Sequence, residues 1–172
     1  MTIKFRKASS EDLPIIWSIL EDAIARRKAD GSNQWQDGYP NENSVLSDIE
    51  KDAGFVLTGD EKVIGYCAVL INDEPEYAKI QGKWKTNGDF VVYHRVAIAK
   101  NYIGKGLAKE MLKHIETFAL ENNIHSIKAD TNFDNGAMLH LFESMGYEYC
   151  GEVFFRESAR KAYEKVVVSN VF

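Results

Sequence analysis

The stretch that decides the fold is Val96-Ala97-Ile98-Ala99-Lys100-Asn101-Tyr102-Ile103-Gly104-Lys105-Gly106-Leu107-Ala108. An apolar, strand-favouring run at 90–98 leads into it, and an amphipathic pattern with helical spacing covers 103–122. We therefore predict a strand, a glycine turn and a long helix in immediate succession. Such a turn directs backbone N–H groups and the positive end of a helix dipole toward one point, which suits a phosphate group.

The composition of the whole chain is that of a globular protein. Its 172 residues suffice for one domain, 45% of them are hydrophobic, and the net charge of -5 argues against a dedicated nucleic-acid binder. No apolar run reaches the roughly 18 residues that a spanning helix needs, and residues 1–6 lack the apolar core of a secretion signal. We therefore expect a single cytoplasmic domain over 1–172, with no nucleic-acid and no membrane partner.

Both cysteines lie in apolar runs that are typical of strands. Cys67 and Cys150 are therefore predicted to be buried thiols rather than a disulfide framework. We expect no metal cofactor. The apolar tail Val166-Val167-Val168 to Val171-Phe172 is a candidate surface for pairing in a homodimer.

The periodicities along the chain predict the order β-α-α-β-β-β-α-β-α-β-β, a mixed sheet with helices on both faces. The first helix follows a cap at Ser9 or Ser10 and ends at Asp30-Gly31-Ser32. The other predicted helices are 44–52, 103–122 and 135–145. The predicted strands are 3–7, 55–58, 63–71, 90–98, 126–130, 147–155 and 162–168. The polar segment 73–88 is predicted to be a functional loop because of its length.

Three phosphate-binding motifs compete for the glycine turn. A nucleotide P-loop needs Ser or Thr after its lysine, but Gly106 follows Lys105. A dinucleotide fingerprint needs a third glycine where this chain has Lys109, which disfavours a nucleotide-dependent oxidoreductase. The third motif fits best. The segment from Ile103 to Ala108 resembles the acyl-CoA signature Arg/Gln-x-x-Gly-x-Gly/Ala of the Gcn5-related N-acetyltransferases (GNAT), with Ile103 in place of Arg or Gln.

The resemblance extends over nearly the whole chain. Residues 135–147, from Asn135 through a helix to Gly146-Tyr147, are similar to a later motif of that family. The segments 34–40, 93–97 and 162–165 resemble a bacterial subgroup of general acetyltransferases. The fold that this resemblance implies is α/β (α+β), a GNAT-like mixed sheet of six to seven strands with helices on both faces and splayed central parallel strands.

The same resemblance implies acetyl-CoA as cosubstrate and assigns residues to it. The backbone of Val96, Ala97 and Ile98 would contact the pantetheine arm, and so would Asn135 and Phe142. At the position of Phe142, family members often carry a tyrosine that acts as general acid. The pyrophosphate would lie on the turn formed by Ile103, Gly104, Lys105, Gly106, Leu107, Ala108 and Lys109. The phenols of Tyr102, Tyr147, Tyr149 and Tyr163 are other candidates for the acid, and water is an alternative to them.

His94 is the candidate general base because an imidazole that titrates near neutrality accepts the proton of an amine. Simple alternation places it on one face with Val96 and Ile98, and some family members carry a histidine at this position. A structural histidine is the alternative.

The aromatic loop residues Trp35, Tyr39 and Trp84 are candidates for the acceptor site, either as an apolar wall or through cation–π contacts, and are otherwise loop anchors. We predict an N-acetyltransferase that moves an acetyl group to a primary amine of a small molecule or peptide by direct attack in a ternary complex. A non-catalytic acyl-CoA-binding module and an O-acetyltransferase are the alternatives.

Overall fold

The computed structural model describes residues 1–156 and 158–169. Its strands are β1 (Ile3–Lys7), β2 (Gly54–Gly59), β3 (Lys62–Ile71), β4 (Gln81–Gly82), β5 (Val91–Ile98), β6 (Ser126–Thr131), β7 (Glu148–Phe155) and β8 (Ser158–Val166). Its α-helices are α1 (Leu13–Ala29), α2 (Glu42–Glu50), α3 (Leu107–Glu121) and α4 (Gly136–Ser144), and short 3-10 turns cover Ser10–Asp12, Pro75–Lys79 and Lys100–Tyr102.

The predicted α/β class and element order are confirmed, with differences at particular boundaries. Within the described residues the sheet has eight strands rather than six to seven, because Gln81–Gly82 in the predicted loop pairs with β7. Helix α2 begins at Glu42 because the side chain of Asn41 accepts a hydrogen bond from the backbone N–H of Ser44 at 3.1 Å. Helix α3 begins only at Leu107, after two glycines with positive φ.

The chain divides into two compact units, each formed by two segments. The first unit contains Met1–Val69 and His94–His114, and the second contains Leu70–Tyr93 and the residues from Ile115 onward. Strand β5 contributes its first residues to the second unit and its last residues to the first. The single domain over 1–172 stays a prediction.

In the first unit, β1, β2, β3 and the end of β5 are neighbours in that order. The pairs β1–β2 and β2–β3 are antiparallel, and the N–H of Ala99 after β5 donates to the carbonyl of Ile64 at 2.8 Å. Helices α1 and α2 cover one face of this part of the sheet. Their buried residues, among them Ile16, Leu20 and Val45, pack on Val56, Tyr66 and Ala97.

In the second unit, the order is the start of β5, then β6, β8, β7 and β4. Strands β5 and β6 are parallel, whereas β6–β8, β8–β7 and β7–β4 are antiparallel. Among the described residues, the parallel register covers Val91 opposite Ile127 and Val92 opposite Lys128, although β6 continues to Thr131. Central strands that splay apart would have a short parallel contact of this kind, so the register agrees with the predicted splay.

The cysteine prediction is confirmed for the described residues, since Cys67 and Cys150 are both buried free thiols. Burial raises the pKa of both. None of the helices in the described part of the chain is long and apolar enough to cross a bilayer. Of the predicted dimer tail, Val166 and Val168 are exposed, whereas Val171 and Phe172 lie outside the described residues.

Candidate functional site

The glycine turn at the end of β5 is open on its outer side. Gly104 has φ 82° and Gly106 has φ 74°, a left-handed conformation that residues with a Cβ rarely adopt. A Cβ built on either glycine would meet no heavy atom within 4 Å. The backbone here is therefore accessible to a ligand.

The N-terminus of α3 adds unpaired donors to this turn. The N–H of Glu110 donates to the carbonyl of Gly106 at 3.1 Å, which is the first hydrogen bond of the helix. The N–H groups of residues 107–109 precede that bond and have no acceptor within the helix. With the positive end of the helix dipole, they form an arrangement that fits a phosphate group.

The side chains around the turn include an apolar residue at the position of the expected Arg or Gln, and two lysines. Ile103, where an Arg or Gln is usual, is 48% exposed and apolar. Lys105 and Lys109 are exposed, and the Nζ of Lys105 lies 5.2 Å from the centre of the Tyr102 ring. The predicted residues 103–109 are thus gathered in one loop and one helix end.

The edge of β5 that faces away from β3 is the second part of the candidate site, and its contacts with a cosubstrate stay predictions. Because the N–H of Ala99 is bonded to β3, alternation along the strand directs the backbone groups of Val96 and Ile98 to the opposite edge. Arg26 reaches this edge from α1, and its Nη2 donates to the carbonyl of Ile98 at 3.4 Å. Val96 is half-buried, and Ala97 and Ile98 are buried.

The candidate base His94 is half-buried in β5 and immediately precedes a break in the strand geometry. Arg95 has φ 58°, so regular alternation does not continue through it. Alternation therefore does not place His94 on the face of Val96 and Ile98, since a β-bulge redirects side chains in this way. The role of His94 stays a prediction.

A buried ion pair beside His94 was missed by the sequence analysis. The Nε of Arg95 donates to Oδ2 of Asp48 at 2.9 Å, and its Nη2 donates to Oδ1 at 2.5 Å. The hydroxyl of Tyr66 also donates to Asp48, and the Nη1 of Arg95 donates to the hydroxyl oxygen of Tyr39. The side chains of Arg95 and Asp48 are only 12% and 5% exposed.

The charge interactions in this cluster favour a charged Arg95 and a neutral Tyr66. Burial lowers the pKa of Arg95, but Tyr39 and Asp48 outweigh it, so the pKa is raised overall. Burial and the neighbouring carboxylate of Asp48 raise the pKa of Tyr66, which keeps its phenol protonated. No motif marks this cluster, and the one signal for it is a charged Arg95 in a strand whose other residues, apart from Tyr93 and His94, are apolar.

The three candidate acceptor aromatics lie in different surroundings. Tyr39 is bonded to Arg95, whose guanidinium carbon lies 5.8 Å from its ring centre. Trp35 is half-buried and packs on the core of the first unit. Trp84 belongs to the second unit, where its Nε1 donates to the carbonyl of Tyr77 at 2.8 Å, as expected of a loop anchor, and its part in an acceptor site stays a prediction.

The remaining predicted residues, Asn135 and Phe142, have structural roles in the second unit. The side chain of Asn135 caps α4 by accepting from the N–H of Met138 at 3.2 Å. Phe142 is 0% exposed, with its ring centre 5.3 Å from that of Tyr147 and 4.9 Å from that of Tyr163. Burial raises the pKa of both phenols, which favours their structural role. The contacts of Asn135 and Phe142 with a cosubstrate stay predictions.

Comparison with known sequences identifies relatives of this chain. The model of the Acetyltransferase (GNAT) family matches residues 17–147. An uncharacterized N-acetyltransferase, YesJ, of Bacillus subtilis (strain 168) is 26% identical over 145 residues, which are 82% of this chain and 79% of that protein. The N-acetylaspartate synthetase of Xenopus tropicalis is 30% identical over 115 residues, which are 63% of this chain and 38% of that protein.

Solved structures agree with this result. An acetyltransferase of the GNAT family from Streptococcus agalactiae 2603 has a TM-score of 0.89 and 32% identity, covering 97% of this chain and 96% of that chain. The structure of yncA from Salmonella typhimurium with its cofactor acetyl-CoA shares the fold, with a TM-score of 0.70 and 17% identity over 100% of this chain and 98% of that one. From its sequence and its fold, this chain belongs to the GNAT family of acetyltransferases.

Proposed function

We propose that this protein is an acetyl-CoA-dependent N-acetyltransferase that acts on a primary amine of a small molecule or peptide. The observation that carries the proposal is the open glycine turn between β5 and α3, where positive φ at Gly104 and Gly106 exposes backbone donors. Membership of the family supports acetyl transfer. The relative yncA, solved with acetyl-CoA, supports the choice of cosubstrate.

Two parts of the first unit would bind different portions of acetyl-CoA. The backbone N–H groups around Gly104 and Gly106 and those of residues 107–109 would hold the pyrophosphate. The edge of β5 that faces away from β3 would bond the amide groups of the pantetheine arm through Val96 and the N–H of Ile98, whose carbonyl accepts from Arg26. When bound, acetyl-CoA supplies an acetyl group that is activated as a thioester.

An amine attacks only in its neutral form, so a group must take up its proton. His94 fills this role in our proposal, directly or through a water molecule, and the acceptor attacks in a ternary complex without an acyl-enzyme. We assign no side chain as the acid for the departing thiol, because Phe142 stands where the family often has a tyrosine. In this scheme His94 is the one side chain that exchanges a proton.

The decisive experiment measures thiol release from acetyl-CoA with polyamines, amino acids, aminoglycosides and peptides as acceptors. We expect release that depends on the acceptor and a product that gains one acetyl group by mass spectrometry. An amide survives mild alkaline hydroxylamine, whereas an ester is cleaved, so this treatment separates N- from O-acetyl transfer. Tight binding of acetyl-CoA without release for any acceptor would instead favour an acyl-CoA-binding module.

A further inference from the structure

Arg95 adopts a backbone conformation that its own side chain does not favour. Its φ of 58° in the middle of β5 is left-handed, a region where a residue with a Cβ is disfavoured by steric contact with its own backbone. Nothing in the local sequence Tyr93-His94-Arg95-Val96 supplies the glycine or asparagine that usually takes this position. Tertiary contacts must therefore hold Arg95 in place.

The contacts that hold Arg95 and its partner Asp48 come from three separate elements. Asp48 on α2 accepts both donors of the guanidinium fork, which fixes its plane as well as its position. Tyr66 on β3 donates to the same carboxylate, and Tyr39 in the loop before α2 accepts the remaining Nη1. The side chain of Arg95 thus has little freedom, and neither has the backbone that carries it.

Stability alone is a weak reason for such a pair. Burying two charges costs desolvation free energy that their attraction barely repays, and apolar residues of similar volume often stabilise a protein equally well. The paired hydrogen bonds between the guanidinium of Arg95 and the carboxylate of Asp48 are instead suited to holding the side chain and backbone of Arg95 in one geometry. His94 and Val96 are the neighbours of Arg95 in the strand, and His94 is the one to which the proposed function gives a chemical role.

Resting on the proposed function, we propose that Arg95 and Asp48 are positioning residues that orient His94 toward the reacting amine. The pair holds the left-handed turn of β5 that sets the direction of the imidazole. Through Tyr39 it also ties the loop before α2, which carries the candidate acceptor aromatics Trp35 and Tyr39, to the same strand position. Neither Arg95 nor Asp48 exchanges a proton in this scheme.

The test replaces both charges at once, because a single substitution would leave one charge buried and unpaired. The double variant Arg95→Met/Asp48→Leu is compared with Lys4→Gln/Glu61→Gln, which removes an exposed ion pair of the same unit whose side chains are 58% and 77% exposed. Two properties are measured. One is kcat and KM for each substrate, and the other is the histidine ring NMR spectrum, in which the His94→Gln variant identifies the His94 signal among the four histidines.

We expect kcat of the Arg95→Met/Asp48→Leu variant to fall by about 10- to 100-fold, since small displacements of a catalytic group have effects of this size. The KM for acetyl-CoA should stay within twofold, and the His94 signal should broaden or split while the other histidine signals stay sharp. Arg95→Lys, which keeps the charge but not the fork, should give an intermediate kcat. The Lys4→Gln/Glu61→Gln control should match the wild type.

The opposite results overturn the proposal. If the folded double variant keeps its kcat and one sharp His94 signal, the pair does not position the histidine. If no acceptor releases thiol even with the wild type, the proposed function fails, and the NMR comparison alone then decides whether Arg95 and Asp48 orient His94. If the double variant does not fold, the His94 signal of Arg95→Lys decides in the same way.

Discussion

A single methyl group at Gly106 should weaken acetyl-CoA binding, whereas the same change at Gly31 should not. Gly106 has φ 74° and Gly31 has φ 78°, and an added Cβ would meet nothing within 4 Å at either position. Both are exposed, and both belong to the first unit. Gly31 follows the end of α1, whereas Gly106 immediately precedes α3. The two alanine variants therefore differ in location and not in local backbone strain.

The expected loss of stability is the same for both variants. A left-handed conformation costs an alanine about 1–2 kcal/mol, and the reduced freedom of the unfolded chain returns about 0.4–1 kcal/mol. The net loss in free energy of unfolding is about 1 kcal/mol. For a chain of this size, that corresponds to a fall in Tm of about 2–4 °C.

The expected loss of affinity is confined to Gly106. The added methyl group stands in the open space beside the N–H groups of residues 107–109, where the pyrophosphate would approach. A hydrogen bond to a charged group contributes about 1.5–3 kcal/mol, so the loss of one weakens acetyl-CoA binding by about 10- to 100-fold. Isothermal titration calorimetry gives the Kd, and thermal unfolding checks that Gly106→Ala and Gly31→Ala lose stability equally. Equal affinities of the two variants would show that the glycine turn does not bind the cosubstrate.

Three further predictions follow from other parts of the chain. His94→Gln should lower kcat by about 100-fold or more while the Kd for acetyl-CoA stays unchanged. The control in the same thiol-release assay is His140→Gln, since His140 is exposed. An unaltered kcat would show that His94 is not the base. Phe142→Ala should cost about 3–5 kcal/mol in urea unfolding because its fully buried ring leaves a cavity, and a loss below 1 kcal/mol would contradict its place in the core. The pKa of Asp12 is lowered by its hydrogen bonds with Arg6. The ionised carboxylate therefore stabilises the fold above its pKa in the unfolded chain, about 4, and this contribution is lost as pH falls through the lower pKa of the folded state. The variant Asp12→Asn should flatten the dependence of the free energy of unfolding on pH in this acidic range, as measured by urea unfolding. An unchanged dependence on pH in that range would refute the assignment.

The elements that form the glycine turn could be predicted because their causes are local. The apolar run before Ile98, the glycines at 104 and 106 and the helical spacing after Leu107 each act on neighbouring residues. The helix start was predicted too early, at Ile103, because hydrophobic periodicity does not register backbone φ. The two-residue strand β4 was missed because its pairing with Gly151 and Glu152 depends on a distant part of the chain.

The Arg95–Asp48 pair could not be predicted, because its cause is tertiary. The two residues are 47 positions apart, and although a charged Arg95 in a largely apolar strand is unusual, nothing in the sequence points to Asp48 as its partner. The positive φ of Arg95 has no sequence signal, since no glycine or asparagine stands there, and the bonds of its side chain go to residues distant in sequence. The same holds in the second unit for Glu164, which is 0% exposed and accepts from the hydroxyl of Ser126 at 2.7 Å and the N–H of Lys85 at 2.7 Å.

Net charge is therefore a poor guide to what the site attracts. A chain with a net charge of -5 would repel a phosphate-bearing cosubstrate if that charge acted evenly. Asp48 and Glu164 contribute to the total, but both are buried and bonded to donors. Around the glycine turn, Lys100, Lys105 and Lys109 are exposed. Because charges at physiological ionic strength are screened beyond about 8 Å, a phosphate near the turn experiences these lysines and the end of α3 more than the rest of the surface. Local charge can thus favour an anionic cosubstrate at the turn while the chain as a whole remains acidic.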